Sequence, residues 1–303
     1  MKQGLNMAMD RCHLCPRDCG VDRTAGQRGR CGMTDQVMAA RAALHMWEEP
    51  CISGEEGSGT VFFSGCSLGC VFCQNHEIAL GDTGKEITVE RLAEIYLELQ
   101  AKGANNINLV TAGHFLPQVI RSLRLAKEQG LQIPIVYNTG GYEKVEAIRM
   151  LDGLVDIYLP DLKYVSAELS GRYSGAPDYF AVASKALAEM VRQTGPAVFD
   201  ERDMLVRGTV VRHLLLPGCL EDSKMVIRYL YETYGDQIYI SIMNQYTPLA
   251  HVKKWPEIDR RVTEEEYDAL VDYAIDLGVE NGFIQEGETA EESFIPAFDI
   301  EGV

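Results

Sequence analysis

Short apolar runs suited to strands alternate with longer amphipathic stretches over most of the chain beyond residue 60. The apolar runs predict six strands, at 60–65, 106–111, 133–138, 155–160, 204–217 and 238–243. Apolar residues spaced three and four apart predict helices at 88–102, 116–128, 143–151, 178–193, 222–234 and 263–277. Strands that alternate with helices indicate a parallel sheet with right-handed crossovers. The sequence therefore predicts an α/β fold, either a doubly wound sheet or a complete or partial barrel.

Two of the predicted helices carry end signals. Thr88 is a plausible N-cap, and Gly103 lies just past the end of the same helix. Thr263 and Glu266 form a capping-box pattern, and Gly278 follows the last predicted helix. These residues mark where we expect the two helices to begin and end.

The composition narrows the class of protein. The 303 residues divide into an N-terminal cysteine-rich segment at 1–55, a main unit at 56–250, and a C-terminal helix with an acidic tail at 251–303. A formal charge of −17 argues against nucleic-acid binding, which needs a surplus of Lys and Arg. No apolar run approaches the roughly 20 residues of a membrane span, so we expect a cytoplasmic protein without a membrane partner. Nine cysteines in a reducing compartment point to metal or thiol chemistry.

Three cysteines, Cys66, Cys70 and Cys73, follow the first predicted strand with the spacing C-x3-C-x2-C. In parallel α/β folds the loops after the strands build the active site. Thiolates select zinc, copper or an iron–sulfur cluster, and a cubane cluster on three cysteines keeps one iron free to bind a small molecule. A structural zinc would need a fourth ligand, for which Cys51 or His76 is a candidate.

This motif, with the aromatic Phe72 before its third cysteine, resembles the cluster motif of the radical S-adenosylmethionine (SAM) superfamily. The resemblance covers residues 60 to about 250 and implies a partial (β/α)6 TIM-like barrel. It implies a [4Fe–4S] cluster on the three cysteines that cleaves SAM to methionine and a 5′-deoxyadenosyl radical, which abstracts hydrogen from a substrate. Within the superfamily, the chain resembles relatives of pyruvate formate-lyase activating enzyme.

The same resemblance implies a set of SAM-binding residues. Asp161 and Lys163 match an Asp-Leu-Lys sequence of those activases, and a lysine can meet the SAM carboxylate. Asn138 and Arg212 stand where the family has polar contacts to SAM on strands three and five. Together with Phe72, these residues form the predicted cofactor-binding set.

The chain departs from the family pattern after the second predicted strand. Where the family often has Gly-Gly-Glu to bind the SAM amino group, residues 111–114 read TAGH. Thr111 and backbone carbonyls could replace that contact, and His114 is our candidate for a substrate contact. Tyr246, after strand six, could line the same mouth or close the end of the barrel.

A second set of cysteines precedes the motif, with the spacing C-x2-C-x3-C-x11-C. Four thiolates suit either a structural zinc or an auxiliary [4Fe–4S] cluster, and the sequence leaves both open. Activases with extra clusters usually carry them after the radical motif, whereas this chain carries its four cysteines before it. The predicted ligands are Cys12, Cys15, Cys19 and Cys31.

The resulting hypothesis is a radical SAM enzyme that acts with an electron donor such as flavodoxin or ferredoxin under anaerobic conditions. Its sharper form is the activation of a glycyl-radical enzyme by hydrogen abstraction from a backbone glycine. One alternative is a radical SAM enzyme that acts on a small molecule or a peptide. The alternative from another class is a non-catalytic zinc or redox module in which both cysteine sets are structural.

Overall fold

A computed structural model describes residues 9–285 and 296–303 of the chain. Its sheet strands include all six that the apolar runs predict. In chain order they are β1 (Val37–His45), β2 (Ser58–Phe63), β3 (Lys85–Ile87), β4 (Ile107–Val110), β5 (Ile135–Thr139), β6 (Ile157–Pro160), β7 (Val198–Phe199), β8 (Leu205–Leu214), β9 (Tyr239–Met243) and β10 (Gly282–Ile284).

The six predicted strands are β2, β4, β5, β6, β8 and β9, which run parallel and are each hydrogen-bonded to the next in that order. The short β10 adds a further parallel strand beside β9. The full order of the sheet is β10-β9-β8-β6-β5-β4-β2-β1-β3, with the short β7 paired to β8. A curved parallel sheet whose end strands do not pair with each other in the described chain is a partial barrel with an additional antiparallel edge. The predicted α/β class and partial barrel are confirmed.

Helices cover the outside of the sheet, and their inward faces form two large apolar cores with the strands. Both sets of predicted end signals are confirmed, since the Thr88 side chain accepts a hydrogen bond from the Arg91 amide and Thr263 and Glu266 form the capping box. The helices are α1 (Pro50–Ser53), α2 (His76–Ala79), α3 (Val89–Ala101), α4 (Leu116–Glu128), α5 (Val145–Arg149), α6 (Ala167–Ser174), α7 (Tyr179–Thr194), α8 (Leu220–Tyr234) and α9 (Glu264–Leu277).

The helix predicted at 143–151 is shorter than expected. It spans Val145–Arg149, because the chain turns at Gly140 and Gly141 and residue 143 still belongs to this turn. Gly141 has φ of 78°, and a Cβ on it would lie 2.3 Å from the carbonyl oxygen of Asp161. Only glycine fits that turn, and the turn directs Glu143 back toward the barrel.

The strand β1 was not predicted, and it runs antiparallel to β2 through the pairs from Ala39–Phe63 to His45–Ser58. Because β1 pairs with β2, the sequence-based boundary at residue 55 falls inside a connection between two paired strands. The end of the chain also lies on β1, where the Ile300 amide donates to the Ala40 carbonyl and the Ala42 amide donates to the Glu301 carbonyl. The side chain of Arg41 forms ion pairs with Asp299 and Glu301.

The cysteine-rich segment that precedes β1 consists mainly of turns from residue 11 to residue 36. It has a small apolar core of its own, made by Met9, Cys12 and Leu14 with Val21 against them. The segment is anchored to the barrel by Arg23, whose fully buried side chain donates to the carbonyl oxygen of His114 at 2.6 Å. Within the described residues, no helix is both long and apolar enough to cross a membrane.

Candidate active site

One cavity of about 220 Å³ lies at the carboxyl ends of the parallel strands. The sequence-predicted residues of the cluster motif and of the SAM site all contribute to its walls. They are Cys66, Cys70, Cys73, Phe72, Asn138, Asp161, Lys163 and Arg212. The structure therefore brings together residues that are up to 146 positions apart (212 − 66) in the chain.

The loop that carries the three cysteines is fixed by backbone contacts at both of its ends. The Gly65 amide donates to the Ile78 carbonyl at 2.8 Å, and the Cys73 amide donates to the Cys70 carbonyl at 3.2 Å. Gly65 has φ of 85°, and a Cβ on it would lie 2.6 Å from the Cys31 carbonyl oxygen. The hydroxyl of Ser174, at the end of α6, donates to the Cys70 sulfur at 3.0 Å.

Burial raises the pKa of the thiols in this loop, to about 11 for Cys70 and to about 12 for Cys73. The charge of Cys66 adds to both shifts, whereas Lys163 lowers the pKa of both thiols. Three thiolates this close repel one another, so their ionised form needs a positively charged centre among them. A bound metal centre provides such a charge.

Three cysteine thiols are the donor set of a cubane cluster that keeps one iron open, since each iron takes its own thiolate. Among residues 9–285 and 296–303, no three His, Cys, Asp or Glu side chains converge as the ligands of one metal ion, at the motif or among the N-terminal cysteines. The two candidates for a fourth zinc ligand lie elsewhere, because Cys51 is in a separate apolar core and His76 stacks on His251 with ring centroids 4.2 Å apart.

Asp161, Lys163 and Arg212 form one continuous ion-pair network on the wall of the cavity. Asp161 Oδ2 accepts from Lys163 Nζ at 2.6 Å, and its Oδ1 accepts from Arg212 Nε at 3.0 Å. Burial alone would raise the pKa of Asp161, but the two cations hold it below its ordinary value. Burial alone would lower the pKa of Lys163, but Asp161 and Cys70 raise it above its ordinary value, so the lysine is charged.

Glu48 belongs to the same network, and the sequence analysis missed it. Its Oε2 accepts from Arg212 Nη1 at 3.0 Å, and its Oε1 accepts from the amides of Asn108 and Asn138 at 3.1 Å. Arg212 Nη2 also donates to Asn138 Oδ1 at 2.7 Å, so the guanidinium is held on three sides. Burial raises the pKa of Glu48, although Arg212 beside it acts in the opposite direction. No local pattern in the sequence marks this residue, because it precedes the first predicted strand.

The aromatic residue of the motif, Phe72, is buried against the cavity wall. Its ring lies 5.9 Å from Lys163 Nζ and packs edge-on against Tyr164 and Tyr246. Tyr246 itself does not line the cavity. Its hydroxyl donates to the Ile258 carbonyl at 2.6 Å, which favours the expectation that it closes the end of the barrel.

At the end of β4 the protein has a histidine that is held by the backbone. His114 Nε2 donates to the Ser64 carbonyl at 2.7 Å, and burial with the nearby Arg23 lowers the pKa of His114 to about 3, so the ring is neutral. Thr111 lies beside it in the left-handed region, with φ of 61°. His114 lines the cavity, but its ring is already engaged, and its role in substrate contact stays a prediction.

A second acidic residue that the sequence analysis missed, Glu143, lines the cavity beside this position. Its Oε1 accepts from the Thr139 hydroxyl at 2.8 Å and from the Tyr137 hydroxyl at 3.4 Å. Burial raises the pKa of Glu143 to about 7. A Cβ on Gly113 would lie 2.6 and 2.8 Å from the two carboxylate oxygens, so the glycine leaves room for this side chain.

The four N-terminal cysteines lie close enough to influence one another. Cys12, Cys15 and Cys31 are buried and Cys19 is half-buried. Burial raises the pKa of Cys15 to about 12 and also raises that of Cys31, where Arg23 partly opposes it. Zinc and an auxiliary cluster both stay predictions for this set.

The fold and the cavity together define a parallel α/β barrel with thiols and buried ion pairs at the carboxyl ends of its strands. A family model for the radical SAM superfamily matches residues 60–205. Over these residues the chain is a radical SAM domain, as the motif indicated, and that family supports an enzyme reaction. Membership implies a [4Fe–4S] cluster and SAM as cofactors.

Two curated relatives and one solved structure illustrate the similarity. An uncharacterised protein of Methanocaldococcus jannaschii is 29% identical over 270 residues, which cover 87% of this chain and 74% of the relative. The pyruvate formate-lyase-activating enzyme of Clostridium pasteurianum is 31% identical over 179 residues, which cover 56% of this chain and 66% of the enzyme. Streptococcus suis SuiB bound to SAM has a TM-score of 0.50 at 13% identity, with 74% of this chain and 49% of SuiB covered.

Proposed function

We propose that this enzyme holds a [4Fe–4S] cluster on Cys66, Cys70 and Cys73 and uses SAM to start hydrogen abstraction from a substrate. The observation that carries the proposal is that the three motif thiols and the ion-pair network of Asp161 and Lys163 line one cavity. When bound, the cluster and SAM together supply an electron transfer that generates a carbon-centred radical.

The chain's own residues bind and orient the reactants. Lys163 is charged and reaches the cavity, so it suits the carboxylate of SAM. Asp161 fixes the lysine at 2.6 Å, and Arg212 fixes Asp161 in turn. Arg212 is therefore a positioning residue as well as a candidate ligand, because Glu48, Asn138 and Asp161 already occupy its guanidinium.

The finer proposal concerns the substrate. The similarity to the activating enzyme of Clostridium pasteurianum supports a backbone glycine of a glycyl-radical enzyme as the site of hydrogen abstraction. A reduced flavodoxin or ferredoxin would supply the electron. The second candidate is a small molecule or peptide substrate, and the position of the accessory cysteines before the motif favours it.

The test is anaerobic reconstitution with iron and sulfide, reduction with dithionite, and detection of 5′-deoxyadenosine from SAM. We expect formation by the native chain and none by Cys70→Ala. Cys219→Ala is the matched control, since Cys219 lies outside the walls of the cavity and should leave the yield unchanged. A reconstituted, reduced native chain that forms no 5′-deoxyadenosine would contradict the proposal.

The substrate is tested separately by electron paramagnetic resonance. Adding a candidate glycyl-radical enzyme should give a glycyl-radical signal that depends on SAM and on Cys70. 5′-Deoxyadenosine formation without such a signal across a panel of glycyl-radical enzymes would favour the small-molecule or peptide candidate.

A further inference from the structure

Glu143 is a buried carboxylate that faces the cavity with only neutral partners. Its side chain is held by the hydroxyls of Thr139 and Tyr137. Only 6% of the surface of Glu143 is exposed, and the residue contributes to the cavity wall. A carboxylate so deeply buried is costly unless a cation or a set of hydrogen bonds compensates it.

The other acidic side chains of the cavity have cations beside them. Asp161 pairs with Lys163 and Arg212, and Glu48 pairs with Arg212. Within the described part of the chain, by contrast, no ion pair includes Glu143, and no basic residue contributes to its pKa. The cation next to it in sequence is engaged elsewhere, since Lys144 pairs with Asp18.

Two glycines, one in the turn before Glu143 and one beside its carboxylate, allow this side chain to take its position. The turn at Gly141 accepts no side chain, because a Cβ there would lie 2.3 Å from the Asp161 carbonyl oxygen. At the end of β4, Gly113 leaves the space that the carboxylate fills, with a Cβ-to-oxygen distance of 2.6 Å if a side chain were added. The carboxylate of a loop after β5 therefore stands against the end of β4, the neighbouring strand.

We propose that Glu143 binds a primary ammonium group of the ligand in this cavity, and that this group is the α-ammonium of SAM. The inference rests on the proposed function, which places SAM here. The cavity then offers opposite charges to the two ends of an amino acid: Lys163 for its carboxylate and Glu143 for its ammonium. Residues 111–114 at the end of β4 carry no carboxylate. In this assignment the contact to the ammonium group comes instead from the loop after the neighbouring strand β5.

The test compares two ligands on the anaerobically reconstituted full chain. SAM carries the ammonium group, whereas 5′-methylthioadenosine has the same nucleoside and sulfur without the amino-acid portion. We expect Glu143→Gln to weaken SAM binding by about tenfold or more, the typical effect of losing a charge-assisted hydrogen bond, with methylthioadenosine affinity within about twofold. SAM changes the electron paramagnetic resonance spectrum of the reduced cluster. In Glu143→Gln this change should require SAM concentrations that are higher by the same factor as the loss of affinity.

Two further variants separate binding from folding. Glu146→Gln, on the exposed surface three positions away, is the matched control and should bind SAM like the native chain. Glu143→Asp retains the charge and should bind SAM better than Glu143→Gln. Without ligand at pH 8, Glu143→Gln should unfold at the same temperature as the native chain or above it, because it removes an uncompensated charge.

Each contrary outcome overturns the inference. Unchanged SAM affinity in Glu143→Gln would assign the carboxylate to another amino group, such as that of the substrate. An equal loss for both ligands, or a lower unfolding temperature, would make the residue structural. Loss of metal from the N-terminal cysteines with unchanged SAM affinity would make it part of that site. A native chain that takes up the cluster but binds no SAM would instead contradict the proposed function.

Discussion

Arg17 Nε donates to the carbonyl oxygen of Ser67 at 2.8 Å, and this contact joins the N-terminal cysteine segment to the loop of the cluster motif. The same guanidinium donates to the carbonyls of Leu68, Ser174 and Gly175. Arg17 lies between Cys15 and Cys19, so the geometry of the first cysteine set determines where it stands. The N-terminal segment therefore contacts the motif loop directly.

The first prediction follows from this contact. Arg17→Lys retains the charge but replaces a fork of donors to four carbonyls by a single ammonium group, so the motif loop loses most of its support. We expect less iron bound per chain at the motif and a broadened electron paramagnetic resonance spectrum of the reduced cluster. Arg28→Lys is the control, because the Arg28 side chain donates to Gly32 at the exposed surface. Equal iron content and identical spectra in both variants would refute the prediction.

Removing the Glu48 carboxylate should destabilise the protein. Arg212 lies buried between Glu48 and Asp161, and Asp161 also pairs with Lys163, so without Glu48 two buried cations share one carboxylate. Breaking a buried ion pair costs about 3–5 kcal/mol, and we expect Glu48→Ala to lower the free energy of unfolding by an amount of that order. Urea unfolding measures it, with the exposed Glu55→Ala as control. A loss below about 1 kcal/mol would show that water or rearrangement compensates Arg212.

His213 should make the stability fall in mild acid. Burial lowers the pKa of His213 to about 4 from the ordinary value of 6.5, so between these pH values the unfolded chain binds more protons. The contribution of neutral His213 to the free energy of unfolding is complete above pH 6.5. It decreases as the pH falls to about 4, by about 3 kcal/mol in total. His45 and His114 act in the same direction.

The measurement is the free energy of unfolding between pH 7.5 and about 4.5 for the native chain and His213→Asn. The asparagine amide can still donate to the Leu162 carbonyl, as the ring does through Nδ1, but it does not titrate. We expect the slope with pH to be smaller in the variant. Equal slopes would mean that His213 takes up its proton at the same pH in the folded and the unfolded chain.

Adding a methyl group to Gly113 should disturb the Glu143 carboxylate. The new Cβ would lie 2.6 Å from one carboxylate oxygen and 2.9 Å from the Tyr137 hydroxyl, so Gly113→Ala should cost about 1–3 kcal/mol of stability. Gly171→Ala is the contrasting control, since the nearest atom outside α6 is 3.6 Å away and alanine favours a helix. The measurement is the unfolding temperature of each variant relative to the native chain. A Gly113→Ala variant as stable as the native chain would contradict the expected clash.

The parts of the fold with a strong local signal were predictable. β6 is buried at every position and β8 through its middle, so both contain apolar runs, and the polar residues that follow the first or lie within the second are Asp161, Lys163 and Arg212. β1 was missed because Val37–His45 is rich in alanine and interrupted by Arg41, a pattern as compatible with a helix as with a strand.

The two missed acidic residues had no signal of their own. Glu48 enters the site only because β1 pairs with β2 and returns the chain to the barrel, which depends on long-range contacts. Glu143 was assigned to a predicted helix, and its true position follows from a turn that Gly141 permits. Long-range pairing brings Glu48 to the cavity, whereas the pair of glycines just before Glu143 was the local signal that could have removed it from the predicted helix.

The hydrogen bonds of Ala40 and Ala42 to residues 300 and 301 also bear on synthesis by the ribosome. β1 precedes the other strands of this sheet, yet beyond its pairing with β3 its outer edge is covered by residues that are translated some 260 positions later (300 − 40). Until then the nascent chain exposes unpaired amides and carbonyls along this edge, which is the kind of surface that recruits other strands. Translation must therefore reach residue 301 before this edge of the sheet is protected.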